Sequence, residues 1–257
     1  MDIVIVCIVA LLASGLTFFS GFGLGTLLLP AFALFMPVEH AIAMTAVVHL
    51  LNGLFKLALL RTHIDRAVLL RFGLPAVLAA LLGAWLLSRL GTLPALHAYS
   101  AFGHRFEILP LKLVIGVLLL LFALIELVPK LRDITFDARW QPLGGALSGF
   151  FGGLSGMQGA LRSAFLARSG LDKQAFVATG AAIACVIDVS RLAVYAGTLF
   201  AVFGTLDHRL LVCAVLAAFA GAWLGNRMLR KTTLRGLQRV VAAMLFAFAI
   251  GLIVGAL

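Results

Sequence analysis

Six long apolar runs limit what this chain can fold into more than any other feature of the sequence. Each reaches or exceeds the roughly 20 residues that an α-helix needs to cross the hydrocarbon core of a bilayer. Hydrophobic residues make up 63% of the chain and charged residues only 12%, about half the charged share of a soluble domain. The sequence therefore predicts an all-α polytopic membrane protein with spans at 40–60, 66–88, 110–129, 173–200, 207–227 and 236–256.

Two further apolar regions, 3–36 and 142–168, are interrupted by glycines and small polar residues. Each fits either one broken membrane span or a re-entrant hairpin of two short helices that returns to the side it entered. The hairpin alternative gathers the basic loop residues more strongly on one side, and an excess of lysine and arginine marks the cytoplasmic side. Loop charge therefore favours hairpins, and both alternatives place the basic segment 226–239 in the cytoplasm.

Charge and motifs narrow the classes of function. The net charge of +10 comes mostly from the loops, where basic residues set membrane orientation, so we expect a lipid bilayer and not nucleic acid as partner. The three cysteines show no metal-ligand or redox spacing, and the sequence has no GxxxxGK[ST] nucleotide-binding loop. It also lacks a catalytic constellation such as paired carboxylates. We therefore expect a protein that is not an enzyme and holds no metal or cofactor.

An internal repeat divides the chain. The segment AVLAALLGAWLLSR at 76–89 and the segment AVLAAFAGAWLGNR at 214–227 share ten of fourteen residues. Shorter pairings are found in the same order, such as HAIAMTA at 40–46 with QAFVATG at 174–180, which aligns Thr45 with Thr179. The sequence predicts two homologous halves, each with a glycine-broken helix or hairpin followed by three membrane helices. An odd number of crossings in each half makes the repeat an inverted one, as in many secondary transporters. The expected parts of this single membrane domain are an N-terminal repeat at 1–129, a linker loop at 130–139 and a C-terminal repeat at 140–257.

The two glycine-rich breaks occupy equivalent places in the halves and are predicted to form a substrate site. Interrupted helices expose backbone N–H groups, and converging helix N-termini bind anions through those groups and their positive dipole ends. Close helix packing is the alternative explanation, because glycine and serine also permit it. The predicted substrate-binding residues in the breaks are Ser20, Gly21, Gly23, Gly25, Thr26, Ser155, Gly156, Gln158 and Gly159.

Two basic residues, Lys56 and Arg191, lie well inside predicted helices, and the repeat aligns them. Charged side chains in the membrane are costly and mark functional sites, so both are predicted to bind substrate. Lys56 alternatively extends to the membrane interface. Asp188 is three residues before Arg191 on the same helical face, so we expect the two to pair. This pair serves either as a structural ion pair or as part of the site, with Asp188 carrying a coupled proton.

His49 and Asn52 share a helix face with Lys56 and are predicted to line the same site. Histidine changes charge near neutral pH, so His49 is also a candidate for proton coupling. A hydrogen-bonded packing histidine is an equal alternative for this position.

Taken in order, SGFGLGTLLLPAF, TAVVHLLNGLFKLALL, GLPAVLAALLGAWL and LSGFFGGLSGMQG resemble the TauE/SafE family of bacterial membrane proteins. The resemblance covers nearly the whole chain and implies a small anionic substrate, the bacterial inner membrane and a duplicated four-helix unit, usually described as eight spans. One element departs from the family pattern. Many relatives continue GxGGG after the second SG, whereas this chain has MQGALR, in which Gln158 and Arg162 add polar bulk and charge. Arg162 therefore joins the predicted site, and a substrate other than sulfite is left open.

The resemblance and the repeat together predict a secondary transporter that exports a small anion, such as sulfite or an organosulfonate, by alternating access. The alternatives are a passive anion channel, an uptake permease for another small anion and, further away, a membrane assembly factor. Whether the chain works alone or as a homodimer is left open by the sequence.

Overall fold

A computed structural model of the chain describes residues 2–16, 24–101, 103–203, 208–228 and 235–257. Within these ranges the protein is mainly α-helical, and the expected all-α membrane architecture is confirmed. Four helices are long and apolar enough to cross a membrane: Val38–His63, Arg66–Leu90, Lys173–Ala196 and His208–Arg227. The other apolar helices among the described residues are shorter, including those at two of the six predicted spans.

The elements of the first half follow the predicted order. They are α1 (Asp2–Leu16), α2 (Leu24–Ala33), α3 (Val38–Leu60), a 3-10 turn (Arg61–His63), α4 (Arg66–Leu90), the strands β1 (His97–Ala101) and β2 (His104–Ile108), and α5 (Pro110–Leu127). Sequence signals fix several ends. Asp65 caps α4 by accepting a hydrogen bond from the backbone N–H of Val68 at 2.9 Å, and Pro110 occupies the first helical position of α5, where its missing N–H costs nothing.

The second half repeats this order after a short connection. Its elements are α6 (Pro129–Arg132), a 3-10 turn (Ala138–Trp140), α7 (Gln141–Ser155), α8 (Gly159–Leu166), α9 (Lys173–Phe203), α10 (His208–Met228) and α11 (Arg235–Ile253). The pairing of helices follows the repeat as well. Helix α1 packs on α10 as α4 packs on α7, while α3 packs on its own counterpart α9, and α5 on α11.

Helices α7 and α8 form a hairpin. The hydroxyl of Ser148 in α7 donates to the backbone carbonyl of Gln158 at 3.1 Å, and the Nε2 of Gln141 donates to the hydroxyl of Ser169 at 2.7 Å. The start of α7 therefore lies beside the end of α8, and the chain reverses at Gly156, whose φ of 80° is the left-handed conformation that glycine adopts readily. Of the two alternatives for 142–168, the structure has the hairpin. Helices α1 and α2 also pack on each other, although the residues that join them lie outside the described ranges.

Contacts between loops show which of them share an end of the helical bundle. The backbone N–H of Asp65 donates to the Thr179 hydroxyl at 2.9 Å, and that of Phe136 donates to the Ala164 carbonyl at 3.1 Å. The segments before α4, α7 and α9 therefore lie at one end, and they carry basic residues at Arg61, Arg66, Arg139, Arg168 and Lys173. This is the grouping of charge that the hairpin alternative requires.

The segment between α4 and α5, left as a loop in the sequence analysis, folds into a β-hairpin. Strands β1 and β2 are antiparallel, with Tyr99 paired to Phe106 and Gly103 in the turn with a φ of 77°. The Tyr99 hydroxyl donates to the backbone carbonyl of Val254 at 2.6 Å, so the hairpin is attached to the C-terminal end of α11. Alternating side chains on both sides of a glycine are the signal that could have identified it.

The repeated segment is a helix-packing surface in both halves. Gly83 in α4 and Gly221 in α10 occupy equivalent positions of the repeat. A Cβ at Gly83 would collide with the backbone carbonyl oxygen of Phe150 in α7, and one at Gly221 would collide with that of Leu11 in α1. Small residues allow helix backbones to approach this closely. Three alanines at four-residue spacing in each segment are fully buried, namely Ala76, Ala80, Ala84, Ala214, Ala218 and Ala222.

Candidate functional site

The two central helices, α3 and α9, bury polar side chains within an otherwise apolar interior. Those at most 7% exposed include five large polar or charged side chains: His49, Asn52, Lys56, Asp188 and Arg191. Burying charged groups in an apolar medium is costly unless partners compensate. The sequence analysis named all five as site residues, and the packing of α3 on α9 brings the two sets together.

Asp188 lies at the centre of this group. Its Oδ2 is 2.5 Å from Nδ1 of His49, while its Oδ1 accepts from Nε of Arg191 at 3.0 Å and is 2.9 Å from Nη2. The expected pairing of Asp188 with Arg191 is therefore present, at zero side-chain exposure for both residues. The same carboxylate links the histidine of α3 to the arginine of α9.

Gln158, which immediately precedes α8, and Arg162 within α8 extend the network. Nε2 of Gln158 donates to Oδ1 of Asp188 at 3.5 Å, and Nη1 of Arg162 donates to Oε1 of Gln158 at 2.9 Å. The half-buried Arg162 is also within electrostatic range of the Lys56 ammonium. We call the set formed by His49, Lys56, Gln158, Arg162, Asp188 and Arg191 the central polar cluster. It combines three cationic side chains with one carboxylate, so an anion would reduce its excess positive charge.

The glycine-rich breaks of the two halves meet beside this cluster. A Cβ at Gly25, in the first turn of α2, would lie 2.8 Å from the backbone oxygen of Gly156 and 3.7 Å from Cγ2 of Thr45. A Cβ at Gly156 would lie 2.6 Å from Nη1 of Arg191. The guanidinium therefore occupies space that a side chain at Gly156 would fill, and both breaks approach it.

Two buried polar atoms at this meeting point have no hydrogen-bond partner within the described part of the chain. They are Oγ1 of Thr45 and Nη1 of Arg191, whereas Nη2 of the same guanidinium is paired with Oδ1 of Asp188 at 2.9 Å. A buried donor without a partner costs about 1–3 kcal/mol, so proteins keep such groups where a ligand completes them. Guanidinium and hydroxyl donors suit an oxyanion, since a guanidinium binds carboxylate-like groups through a fork of N–H bonds.

Other predicted site residues form hydrogen bonds within or between helices, or are buried without a described polar contact to the cluster. The Ser155 hydroxyl donates to the Phe151 carbonyl of its own helix at 2.9 Å. Oδ1 of Asn52 accepts from the Ser14 hydroxyl at 2.9 Å, which ties α3 to α1. Thr26 and Gly159 are buried in the first turns of α2 and α8. Three predicted residues lie outside the described ranges, namely Ser20, Gly21 and Gly23.

Sequence reasoning missed one member of the site, although the signal was present. Thr45 entered the sequence analysis only through the repeat, yet it lies four residues before His49 and eleven before Lys56 on α3. Spacings of four, seven and eleven residues place side chains on one helix face. A stripe of Thr45, His49, Asn52 and Lys56 on an apolar helix is thus a polar face directed at a partner.

Nothing in the described ranges gathers three or more histidine, cysteine or carboxylate side chains in a way that could hold a metal ion. The chemistry of the described cluster is recognition by charge and hydrogen bonding, with one carboxylate and one imidazole able to exchange protons. These groups have the charge and the hydrogen-bond donors that recognition of an oxyanion requires.

Comparison with known proteins adds an independent result. The family model described as Sulfite exporter TauE/SafE matches residues 6–252, which is nearly the whole chain. No curated protein and no solved structure matches it. The matched range contains both halves of the repeat and the whole central polar cluster.

Proposed function

We propose a function from one premise, that the chain belongs to the sulfite exporter TauE/SafE family. Membership makes the chain a multi-pass membrane protein of a transporter family. We propose that it is a secondary transporter that exports a small anion, such as sulfite or an organosulfonate, across the bacterial inner membrane. The observation that carries the proposal is the fully buried guanidinium of Arg191, whose Nη1 has no hydrogen-bond partner among the described residues.

The proposed binding position lies between the two halves. The anion would accept hydrogen bonds from the Arg191 guanidinium and the Thr45 hydroxyl, where the backbones of Gly25 and Gly156 approach each other. Discontinuous helices that meet near the bilayer midplane are the recurrent construction of substrate sites in secondary transporters. Lys56 and Arg162 add positive charge at longer range.

Alternating access would follow from movement of one half against the other around this position. We propose that the halves are inverted, because a hairpin that returns to its own side leaves three crossings in each half. The grouping of the segments before α4, α7 and α9 at one end of the bundle supports this topology.

Thiol labelling tests the topology. Single cysteines at Thr135 and Arg168, in a background without the native cysteines, should react with a membrane-impermeant reagent from the same side, while a cysteine at Ala95 should react from the other. Labelling of positions 135 and 168 from opposite faces would exclude the hairpin and the inverted arrangement.

Flux through proteoliposomes tests the transport proposal. Sulfite flux should saturate with concentration, and Arg191→Lys should weaken the apparent affinity about 10- to 100-fold, because lysine keeps the charge but loses the fork worth about 1.5–3 kcal/mol. Arg89→Ala is the matched control, since this exposed arginine stacks on Trp85 at the protein surface. Its flux should equal that of the wild type.

The outcomes separate the alternatives. Flux that rises without saturation would indicate a channel instead of a carrier. Saturable flux that is unaffected by Arg191→Lys in a folded, membrane-inserted protein would exclude the proposed site. Arg191→Ala is a less informative variant, because it leaves Asp188 buried without its cation and costs about 3–5 kcal/mol of stability.

A further inference from the structure

The Asp188 carboxylate of the central polar cluster contacts both a titratable side chain, His49, and the arginine of the proposed anion site, Arg191. Oδ2 of Asp188 is 2.5 Å from the His49 imidazole, and Oδ1 holds the Arg191 guanidinium through Nε and Nη2. We propose that the His49–Asp188 pair takes up one proton when an anion binds at Arg191. This inference rests on the proposed function and specifies how its site is coupled to pH.

The sign of the coupling follows from electrostatics. An anion on the Arg191 guanidinium competes with Asp188 for the same cation and adds negative charge beside the carboxylate. Both effects increase the proton affinity of the His49–Asp188 pair. By thermodynamic linkage, a proton on the pair increases the affinity for the anion by the same factor. Anion and proton therefore bind with positive cooperativity.

The groups that face Asp188 are the candidates for carrying the proton. His49 approaches from α3, Arg162 from α8, and Cys185, Arg191 and Tyr195 from α9 itself. Lys56 of α3 lies within electrostatic range of Arg162 and Cys185. Helix α7 carries no titratable residue, and the arginines of α4 are exposed. Histidine is the side chain whose ordinary titration falls near neutral pH. Because His49 and Asp188 are in direct contact, the proton belongs to the pair and not to either residue alone.

The coupling has a consequence for transport. A proton that enters with the anion and leaves with it moves in the same direction, so a monovalent anion crosses without net charge. The flux of such an anion should then depend on the pH gradient and little on the membrane potential.

Calorimetric titration of the purified wild-type protein tests the inference directly. Sulfite, methanesulfonate and sulfate are titrated between about pH 5 and pH 8, the range in which histidine changes charge, in two buffers with different ionisation enthalpies. Methanesulfonate and sulfate keep a constant charge in this range, so any proton uptake with them belongs to the protein, and that measured with sulfite is corrected for its own proton. The affinity should rise by up to about tenfold for each unit that the pH falls, with up to one proton taken up per anion.

Three variants locate the proton. His49→Gln and Asp188→Asn keep an amide in place of the titratable group and should bind anions with an affinity that no longer depends on pH. His63→Gln is the matched control, because this histidine lies in the turn after α3 and contacts Thr62. Its pH dependence should be that of the wild type.

The possible results are distinct. Anion binding by the wild type that is independent of pH and takes up no proton overturns the inference and leaves the proposed function intact. A pH dependence that persists in both His49→Gln and Asp188→Asn assigns the proton to another group, such as Lys56, and also overturns it. Absence of binding by all three anions, together with absence of sulfite flux, would overturn the proposed function itself.

Discussion

Gly83 in α4 and Gly221 in α10 are equivalent in the repeat, and each lies against a backbone carbonyl of a neighbouring helix. Thr45 in α3 and Thr179 in α9 are also equivalent, yet their surroundings differ. The Thr179 hydroxyl accepts a hydrogen bond from the backbone of Asp65, whereas Oγ1 of Thr45 has no partner among the described residues. The halves therefore agree where backbones pack and diverge where polar side chains meet.

This difference indicates how a duplicated chain can acquire a site. Packing of α4 on α7 and of α1 on α10 requires small residues at fixed spacing, and any larger side chain separates the backbones. The polar positions are free of that constraint. The first half contributes an imidazole and an ammonium on α3, and the second half contributes a carboxylate and a guanidinium on α9. One shared scaffold thus presents two unlike polar faces to each other.

The largest expected effect tests the symmetry of the scaffold. Gly83→Ala and Gly221→Ala should each lower the stability by about 3 kcal/mol or more, because the added methyl group meets backbone atoms that cannot rotate away. Thermal unfolding in detergent and the yield of folded protein measure the loss.

The control for this pair is Gly73→Ala, on the same helix as Gly83. A Cβ there would meet only the end of the Leu69 side chain at 3.7 Å, and alanine favours a helix over glycine by about 1 kcal/mol. The variant should be as stable as the wild type or more so. If one of the two repeat glycines tolerates alanine as Gly73 does, the packing surfaces of the halves are not equivalent.

Two smaller effects test whether the polar positions of the halves have diverged. One substitution should change the stability and the equivalent one should change anion binding. Thr179→Val should lower the stability by about 1–3 kcal/mol, because the backbone N–H of Asp65 loses its acceptor. Thr45→Val should leave the stability nearly unchanged and weaken anion binding about tenfold, the value of one hydrogen bond to a charged ligand. Thermal unfolding and calorimetric titration with sulfite measure the two quantities on the same samples.

The two threonine variants serve as controls for each other, since both make the same chemical change at equivalent positions. Equal losses of stability would show that Thr45 has a protein partner and is not held for a ligand. A loss of anion affinity in Thr179→Val as large as that in Thr45→Val would place the anion elsewhere.

Much of the fold could be predicted from the sequence, because membrane helices are recognised by the length and composition of their apolar runs. The predicted runs 40–60 and 66–88 correspond to α3 and α4 within two residues at either end. Part of the site could also be predicted, because charged residues within an apolar helix are rare. Lys56, Asp188 and Arg191 are such residues. The β-hairpin was missed because each of its strands has only five residues, and such a short alternating segment between two spans gives a weak signal beside the long apolar runs.

The sequence by itself determined the all-α membrane class, the duplication, the family and the identity of the buried charges. These properties depend on composition, on order along the chain and on spacing within one helix, all of which can be read without coordinates. Loop charge favoured a hairpin over a broken span at 142–168, but hydropathy is the same for both and left the broken span open. Tertiary contacts made that choice through Ser148 and Gln141, which bond across the hairpin.

Only the tertiary structure decided which partners the buried charges have. The pairing of Asp188 with Arg191 was readable from their spacing, but His49 is 139 residues from Asp188, and no local pattern relates the two. The packing of α3 on α9 joins them, and the hairpin turn at Gly156 brings Gln158 and Arg162 to the same carboxylate. Charge is costly inside a membrane unless it is compensated, so these long-range contacts determine whether the charged residues form a structural pair or a site.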